Sequence, residues 1–265
     1  MQQRTIASNE RSMDMGVPLM MDLVGLGTYK LNDTKGLRVI SEALDIGYRH
    51  IDTAAMYGNE EVVGRALAES SVPREEIYVT TKVWPSNFSK RDFIRSAELS
   101  LRKLGTEYLD VLLLHWPNPG VPLEETLEAL STLIESGKVH AGGVSNFDAI
   151  QMRRAEEICG DDVCVNQVCC HVGNAPAEIL QEARGLGISI TAYSPLSRGD
   201  IMHSRRVVDL AKKYQVTPAQ IALRWMTQQG IAVIPKASTS ERLKENLASL
   251  NFTLAREDLE VLGLL

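Results

Sequence analysis

The stretch YLDVLLLHW, residues 108–116, holds a single charge, Asp110, followed by four apolar residues in a row. A strand with one wet face alternates apolar and polar side chains, whereas a continuous apolar run suits a parallel strand covered on both faces. Similar short runs occur on either side of it. LVGLGT (23–28), YRHIDT (48–53) and YVTTKV (78–83) precede it, and KVHAGGVSN (138–146), CVNQVCC (164–170), SITAYS (189–194) and IAVIPK (231–236) follow, giving eight candidate strands. Between them lie amphipathic segments such as TKGLRVISEALDIG, NEEVVGRALAES, FIRSAELSLRKLG, EETLEALSTLIESGK and AEILQEARGLG, with apolar residues at i, i+3, i+4 and glycines near their ends. TPAQIALRW carries a capping box, with Thr217 as N-cap, Pro218 at the first helical position and Gln220 reaching back. Eight such units in 265 residues predict an α/β chain folded as a (β/α)8 barrel, the TIM-barrel architecture, in a single domain over residues 1–265. The first 15 or so residues are expected to be a hairpin under the barrel or disordered. An open dinucleotide-binding sheet fits less well: it needs G-x-G-x-x-G, and GLGTYK from Gly25 has Lys30 in place of the third glycine.

Composition narrows the function classes. Charged residues are 23% and hydrophobic ones 44%, ordinary globular values that exclude a disordered or fibrous chain. No window reaches the roughly 18 apolar residues of a membrane span, and the polar opening MQQRTIASNERSMD lacks the apolar core of a secretory signal. The expectation is a soluble, cytoplasmic monomer without membrane contact. A net charge of −6 argues against a nucleic-acid surface, so an anionic ligand must meet a local cluster of positive charge. The four cysteines, Cys159, Cys164, Cys169 and Cys170, have neither zinc-ligand spacing nor disulfide-scaffold density and read as reduced, small hydrophobes.

In a barrel the site lies at the C-terminal ends of the strands. Asp52 ends the second run, Lys82 the third and His115 the fourth, with Tyr57 in the loop after the second. Any one of these has an ordinary structural explanation, a loop cap for Asp52 or a core histidine for His115. Three on consecutive strands, with a tyrosine beside them, point to chemistry. A buried lysine needs a counter-ion, which Asp52 can supply. A free phenol titrates near pH 10, and a nearby ammonium is expected to lower that value and make tyrosine a usable acid.

The set GLGTYKL, GYRHIDTAAMYGNEEVVGRAL, VTTKVW, LDVLLLHWP, GKVHAGGVSNF, NQV, AYSPL and IPKAST…RLKEN resembles the aldo-keto reductase superfamily, in order, from about Leu23 onward. Within it the chain is most similar to small bacterial members of the 2,5-diketo-D-gluconate reductase type. The resemblance implies a catalytic tetrad of Asp52, Tyr57, Lys82 and His115. Tyr57 would donate the proton, Lys82, held by Asp52, would lower its pKa, and His115 would orient the carbonyl and help relay the proton. It implies NADPH as cofactor, with NADH a weaker second choice, since no side chain can deliver a hydride. Thr28, Ser145, Asn146 and Gln167 would meet the nicotinamide side, the last three at its carboxamide, Tyr193 would stack on the ring, and Ser194 and Leu196 would contact the pyrophosphate. Lys236, Ser238, Arg242 and Asn246 would hold the 2′-phosphate and adenine. Arg242 would do so near a helix start, where the dipole and a guanidinium fork both favour an anion.

The pattern is broken in places. Cys169, Cys170 and Val172 stand where many relatives carry Glu, Tyr and Pro, and Ala237 replaces a frequent serine, which removes one phosphate contact. The loops PNPGVPLEE and PLSRGDIMHSRR are short, so the pocket is expected to be open, with Tyr29, Met56, Trp84, His115 and Trp116 lining the substrate side. That wall suits small aldehydes, dicarbonyls or keto-sugars. Two other classes stand against this reading. A cofactor-binding regulatory barrel without turnover would not need the filled tetrad, and a metal-dependent hydrolase would need more than Asp52 and His115 as ligands.

Overall fold

A computed structural model describes residues 21–263. Eight strands alternate with helices: β1 (Leu26–Gly27), β2 (His50–Asp52), β3 (Tyr78–Val83), β4 (Leu109–Leu114), β5 (Val139–Ser145), β6 (Val163–Cys169), β7 (Ser189–Tyr193) and β8 (Ala232–Val233). The helices are α1 (Thr34–Ile46), α2 (Glu60–Glu69), α3 (Lys90–Leu104), α4 (Leu123–Glu135), α5 (Ala149–Cys159), α6 (Ala177–Leu186), α7 (Arg205–Tyr214), α8 (Pro218–Thr227), α9 (Ser240–Leu247) and α10 (Arg256–Leu262). The strands form one sheet in sequence order, and every neighbouring pair is parallel. The chain leading into β1 also bonds to the opposite edge. Val24 bridges Val233 in parallel, Gly25 N–H donates to the Val233 carbonyl at 2.8 Å, and Val233 N–H donates to the Leu23 carbonyl at 2.8 Å.

The apolar run that suggested this arrangement behaves as expected of a strand covered on both faces. Leu112 and Leu114 of β4 belong to the large core shared with the helices, while Val111 and Leu113 pack with Met21, Cys164, Val165 and Ala232 in a second, smaller cluster. All four side chains are fully buried. The helices present their apolar faces to the first core. In α1, Leu37, Val39, Ile40, Ala43 and Leu44 are buried, Asp33 caps the start by accepting from Gly36 N–H, and Gly47 ends it in the left-handed region.

The strand ends fall close to expectation. Asp52 is the last residue of β2, Lys82 the last but one of β3, and His115 follows β4 directly. The outer strands are shorter than their apolar runs, because Leu23 to Gly25 bond across to β8 rather than extending the β1–β2 ladder. Two helices, α7 and α8, fill the connection from β7 to β8, where the polar run SRGDIMHSRR reads as loop. All four cysteines are free thiols. The N-terminal 15 residues lie outside the described residues. Among the described residues no helix is long and apolar enough to cross a membrane.

Candidate active site

Lys82 is completely buried, and so is the aspartate that meets it. Lys82 Nζ donates to Asp52 Oδ1 at 2.6 Å and to the Thr53 carbonyl at 2.7 Å. The second carboxylate oxygen, Oδ2, accepts from Gln167 Nε2 at 2.7 Å, across the sheet from β6. Burial pulls the ammonium down from its ordinary value and Asp52 pushes it back up.

Tyr57 reaches this pair from a 3-10 turn (Ala55–Tyr57) that ends at Gly58, whose φ of 67° is left-handed. Its ring lies 5.1 Å from Lys82 Nζ and 5.8 Å, edge on, from the ring of His115. Here the structure corrects an expectation. The phenol is pushed above its ordinary value, not below it: burial is the main cause, and Asp52, Tyr29 and Tyr193 add to it. The lysine's hydrogen bonds go to Asp52 and the Thr53 carbonyl, so the carboxylate balances its charge before the phenol can benefit.

His115 is buried, its Nδ1 has no hydrogen-bond partner, and Trp84 packs edge on against its ring at 5.1 Å. Burial, and then Lys82, pull it down to about 3, so the imidazole is neutral throughout the physiological range. A neutral imidazole can give one hydrogen bond to a carbonyl oxygen, but it carries no imidazolium proton to relay. Tyr29 meets the Tyr57 ring at 5.0 Å, and Tyr29, Met56 and Trp116 are about half exposed.

A second group of side chains lies beyond β5 to β7. Ser145 Oγ donates to the Gln167 carbonyl, Asn146 Nδ2 donates to the His115 carbonyl and to Ser145 Oγ, and Tyr193 Oη donates to Asn146 Oδ1 at 2.8 Å. Asn146 and Ser194 both adopt left-handed backbone, with φ of 63° and 51°, turning the chain sharply as each strand ends. Thr28 is buried, its hydroxyl donating to the Asp52 carbonyl, and Leu196 is half-buried. Further along, Lys236 and Arg242 are exposed and Ser238 half-buried, before and within the first turn of α9. Asn246 is buried and hydrogen-bonds Tyr48. Among the described residues no group of three or more His, Cys, Asp or Glu side chains could hold a metal ion.

Residues 23–262, which include all of these positions, match the model of the aldo/keto reductase family. The chain belongs to the aldo/keto reductase family. It is an oxidoreductase acting on aldehyde and ketone groups. Methylglyoxal reductase DkgB of Salmonella typhimurium is 39% identical to this reductase over 237 residues, covering 88% of this chain and 89% of that protein. Human aldo-keto reductase family 1 member A1 is 36% identical, covering 92% of this chain and 86% of its own. A crystal structure of a protein assigned as 2,5-diketo-D-gluconic acid reductase B superposes with a TM-score of 0.90 at 39% identity, covering 92% of this chain and 87% of the other. The resemblance to that bacterial type is therefore borne out.

Members of the family generally use nicotinamide cofactors, and the donor set of this reductase fits one in kind. Gln167 gives its Nε2 to Asp52, which leaves Oε1 as the end able to meet a carboxamide N–H. The exposed ammonium of Lys236 and guanidinium of Arg242 beside the α9 start are groups of the kind that could meet a phosphate.

The sequence reading missed what surrounds the tetrad. It assigned no role to Thr53, whose carbonyl is the second acceptor for Lys82, and read Asn59 and Glu60, both buried, only as the start of the next helix. Glu60 Oε1 accepts from Thr81 Oγ1 at 2.7 Å. Sequence offered no signal for this, because Asn and Glu are ordinary residue types at a helix start.

Proposed function

We propose that this reductase is a closed (β/α)8 barrel in a single domain that reduces small aldehydes, dicarbonyls or keto-sugars with NADPH, Tyr57 being the proton donor. The observation that carries the mechanism is the buried Lys82–Asp52 pair beside Tyr57 and His115 at the strand ends. The bonds between the first and last strands support the closed barrel, and the one eight-stranded sheet supports the single domain.

When bound, the reduced nicotinamide supplies the hydride that the protein lacks. His115, as a neutral imidazole, donates a hydrogen bond that orients the carbonyl oxygen. Tyr57 Oη gives that oxygen its proton as the carbonyl carbon is reduced, so the alcohol forms and a phenolate remains for solvent to reprotonate. Asp52, held by Gln167, keeps Lys82 in place beside the Tyr57 ring. Ser145, Asn146 and Gln167 would hold the carboxamide and Tyr193 the ring. Thr28, Ser194 and Leu196 would line the cofactor path, and Lys236, Ser238, Arg242 and Asn246 would meet the adenosine phosphate end. Ala237 offers no hydroxyl there, which weakens the hold on the 2′-phosphate, so NADH is kept as a second cofactor, ranked below NADPH because of Lys236 and Arg242. Tyr29, Met56, Trp84 and Trp116 would select the substrate, which the reading takes to be a small molecule met by a monomer.

Tyr57→Phe should lower NADPH oxidation with methylglyoxal by on the order of 100- to 10,000-fold, the usual range for a lost general acid, while NADPH still quenches the protein's fluorescence with unchanged affinity. Wild-type turnover in that variant would remove Tyr57 from the mechanism. NADPH binding by the wild-type protein without turnover of any aldehyde, ketone or sugar would indicate a regulatory barrel instead.

A further inference from the structure

Asn59 occupies the N-cap position of α2, yet its side chain makes no capping bond to that helix. Asparagine is a preferred N-cap, and leaving that bond unmade weakens the helix start. The amide is used sideways instead. Its Oδ1 accepts from Thr53 Oγ1 at 2.8 Å, and its Nδ2 donates to the carbonyls of Thr28 at 2.8 Å and Leu31 at 3.1 Å. Thr28, Thr53 and Asn59 are all fully buried, so these bonds are shielded from competing water.

Thr53 and Asn59 are the two ends of the loop that carries Tyr57. Inside it, Tyr57 N–H donates to the Ala54 carbonyl at 2.9 Å and Gly58 N–H to the Ala55 carbonyl at 3.3 Å. The Thr53–Asn59 bond closes this loop at its neck. The same Thr53 presents its carbonyl to Lys82 Nζ, and the Thr28 to Leu31 segment carries Tyr29, whose ring touches that of Tyr57. One amide thus ties the proton donor's loop to the lysine's acceptor and to the substrate wall.

We propose that Asn59 is a positioning residue that sets the Tyr57 phenol against Lys82 and the carbonyl site, with the Thr53 hydroxyl as its anchor. This rests on the reading of Tyr57 as proton donor. Thr53→Val removes the anchoring hydroxyl at nearly constant shape, and Thr53→Ser restores it. Thr53→Val should lower kcat for methylglyoxal by on the order of 10- to 100-fold, the scale of an ångström-level misplacement, and raise the solvent deuterium isotope effect on kcat. NADPH affinity, read by fluorescence quenching, should stay at the wild-type value, and Thr53→Ser should return kcat to near wild type. Asn59→Ala, which also gives up the bonds to the Thr28 and Leu31 carbonyls, should lower kcat at least as much, and adding Thr53→Val to it should change little further, because the Thr53–Asn59 bond is already gone. If Asn59→Ala does not fold, the Thr53 pair decides. Wild-type kcat in Thr53→Val would overturn the proposal. So would a loss that Thr53→Ser shares, or one accompanied by equal loss of NADPH affinity, since either marks a general structural role. Tyr57→Phe, assayed alongside, separates the two levels: if it turns over like wild type, the donor assignment itself fails.

Discussion

Tyr57 is surrounded by groups that disfavour its phenolate: burial first, then Asp52, Tyr29 and Tyr193. The sign of the pH effect follows. In the proposed mechanism reduction needs the protonated phenol, and a raised value moves loss of that proton to higher pH, so Tyr57 stays protonated through pH 9. His115, held at about 3, does not change charge above pH 5 and adds no acid limb to the profile. The log of kcat for carbonyl reduction is therefore expected to be flat from pH 6 to pH 9 as far as these two groups are concerned. Ultraviolet difference titration of the cofactor-free protein checks this directly: a tyrosine that ionises below pH 9 in wild type and is missing in Tyr57→Phe would contradict it. At this scale the convergence of Asp52, Lys82, His115 and Tyr57 was legible, because their positions at and just after strand ends bring them together. The electrostatics were not. A one-dimensional reading sees Lys82 near Tyr57, but the direction of the shift depends on where the ammonium points, and it points at Asp52 and the Thr53 carbonyl.

Helix α8 tests how far local sequence alone controls an element. Its capping box is formed as read: Gln220 N–H donates to Thr217 Oγ1 at 3.2 Å, and Thr217 N–H donates to Gln220 Oε1 at 3.0 Å. Thr217→Ala should cost about 1 kcal/mol, measured by urea unfolding, and leave kcat unchanged. Gly64 in α2 is a contrasting case, since a Cβ there would meet the Lys103 and Leu104 carbonyls at 2.6 Å. Helix propensity alone favours Gly64→Ala by nearly 1 kcal/mol, yet the close approach of the α3 end should make it destabilising, by about 1–3 kcal/mol on the scale of overpacked sites. A more stable Gly64→Ala variant would show that the crossing has slack. The elements legible from sequence are those with strong periodic or capping signals, such as β4, α1 and α8. Those left unnamed escaped for different reasons. In α5 the buried stripe is just Ala149, Met152 and Ala155 among charged neighbours, and α7 follows a polar run that reads as loop. The glycines of β5 carry no strand propensity of their own, and they suit their place because a Cβ at Gly143 would meet the Val165 carbonyl of β6 at 2.5 Å.

Across the whole molecule the strand interior holds neutral histidines as well as a charged pair, and this sets its response to acid. His50 in β2 is almost fully buried, and burial, partly offset by Asp52, brings it to about 4; His115 lies at about 3. Both values lie below the unfolded histidine value of about 6.5, so between there and pH 4 the unfolded chain binds protons that the folded protein refuses. Stability attached to these groups is fully present above pH 6.5 and is lost as the pH falls through that window. Each group contributes a slope of roughly 1.4 kcal/mol per pH unit, so two units of acidification remove roughly 5 kcal/mol, against a typical total of about 5–15 kcal/mol for a folded domain. The protein should accordingly lose roughly a third or more of its stability against urea between pH 6.5 and pH 4.5. His50→Gln removes one titrating group and should roughly halve that slope, whatever it does to stability at pH 7, because the slope counts protons and not contacts. An unchanged slope in His50→Gln would mean that His50 is protonated in the folded state at the same pH as in the unfolded one. The core around it would then be wetter than its burial implies.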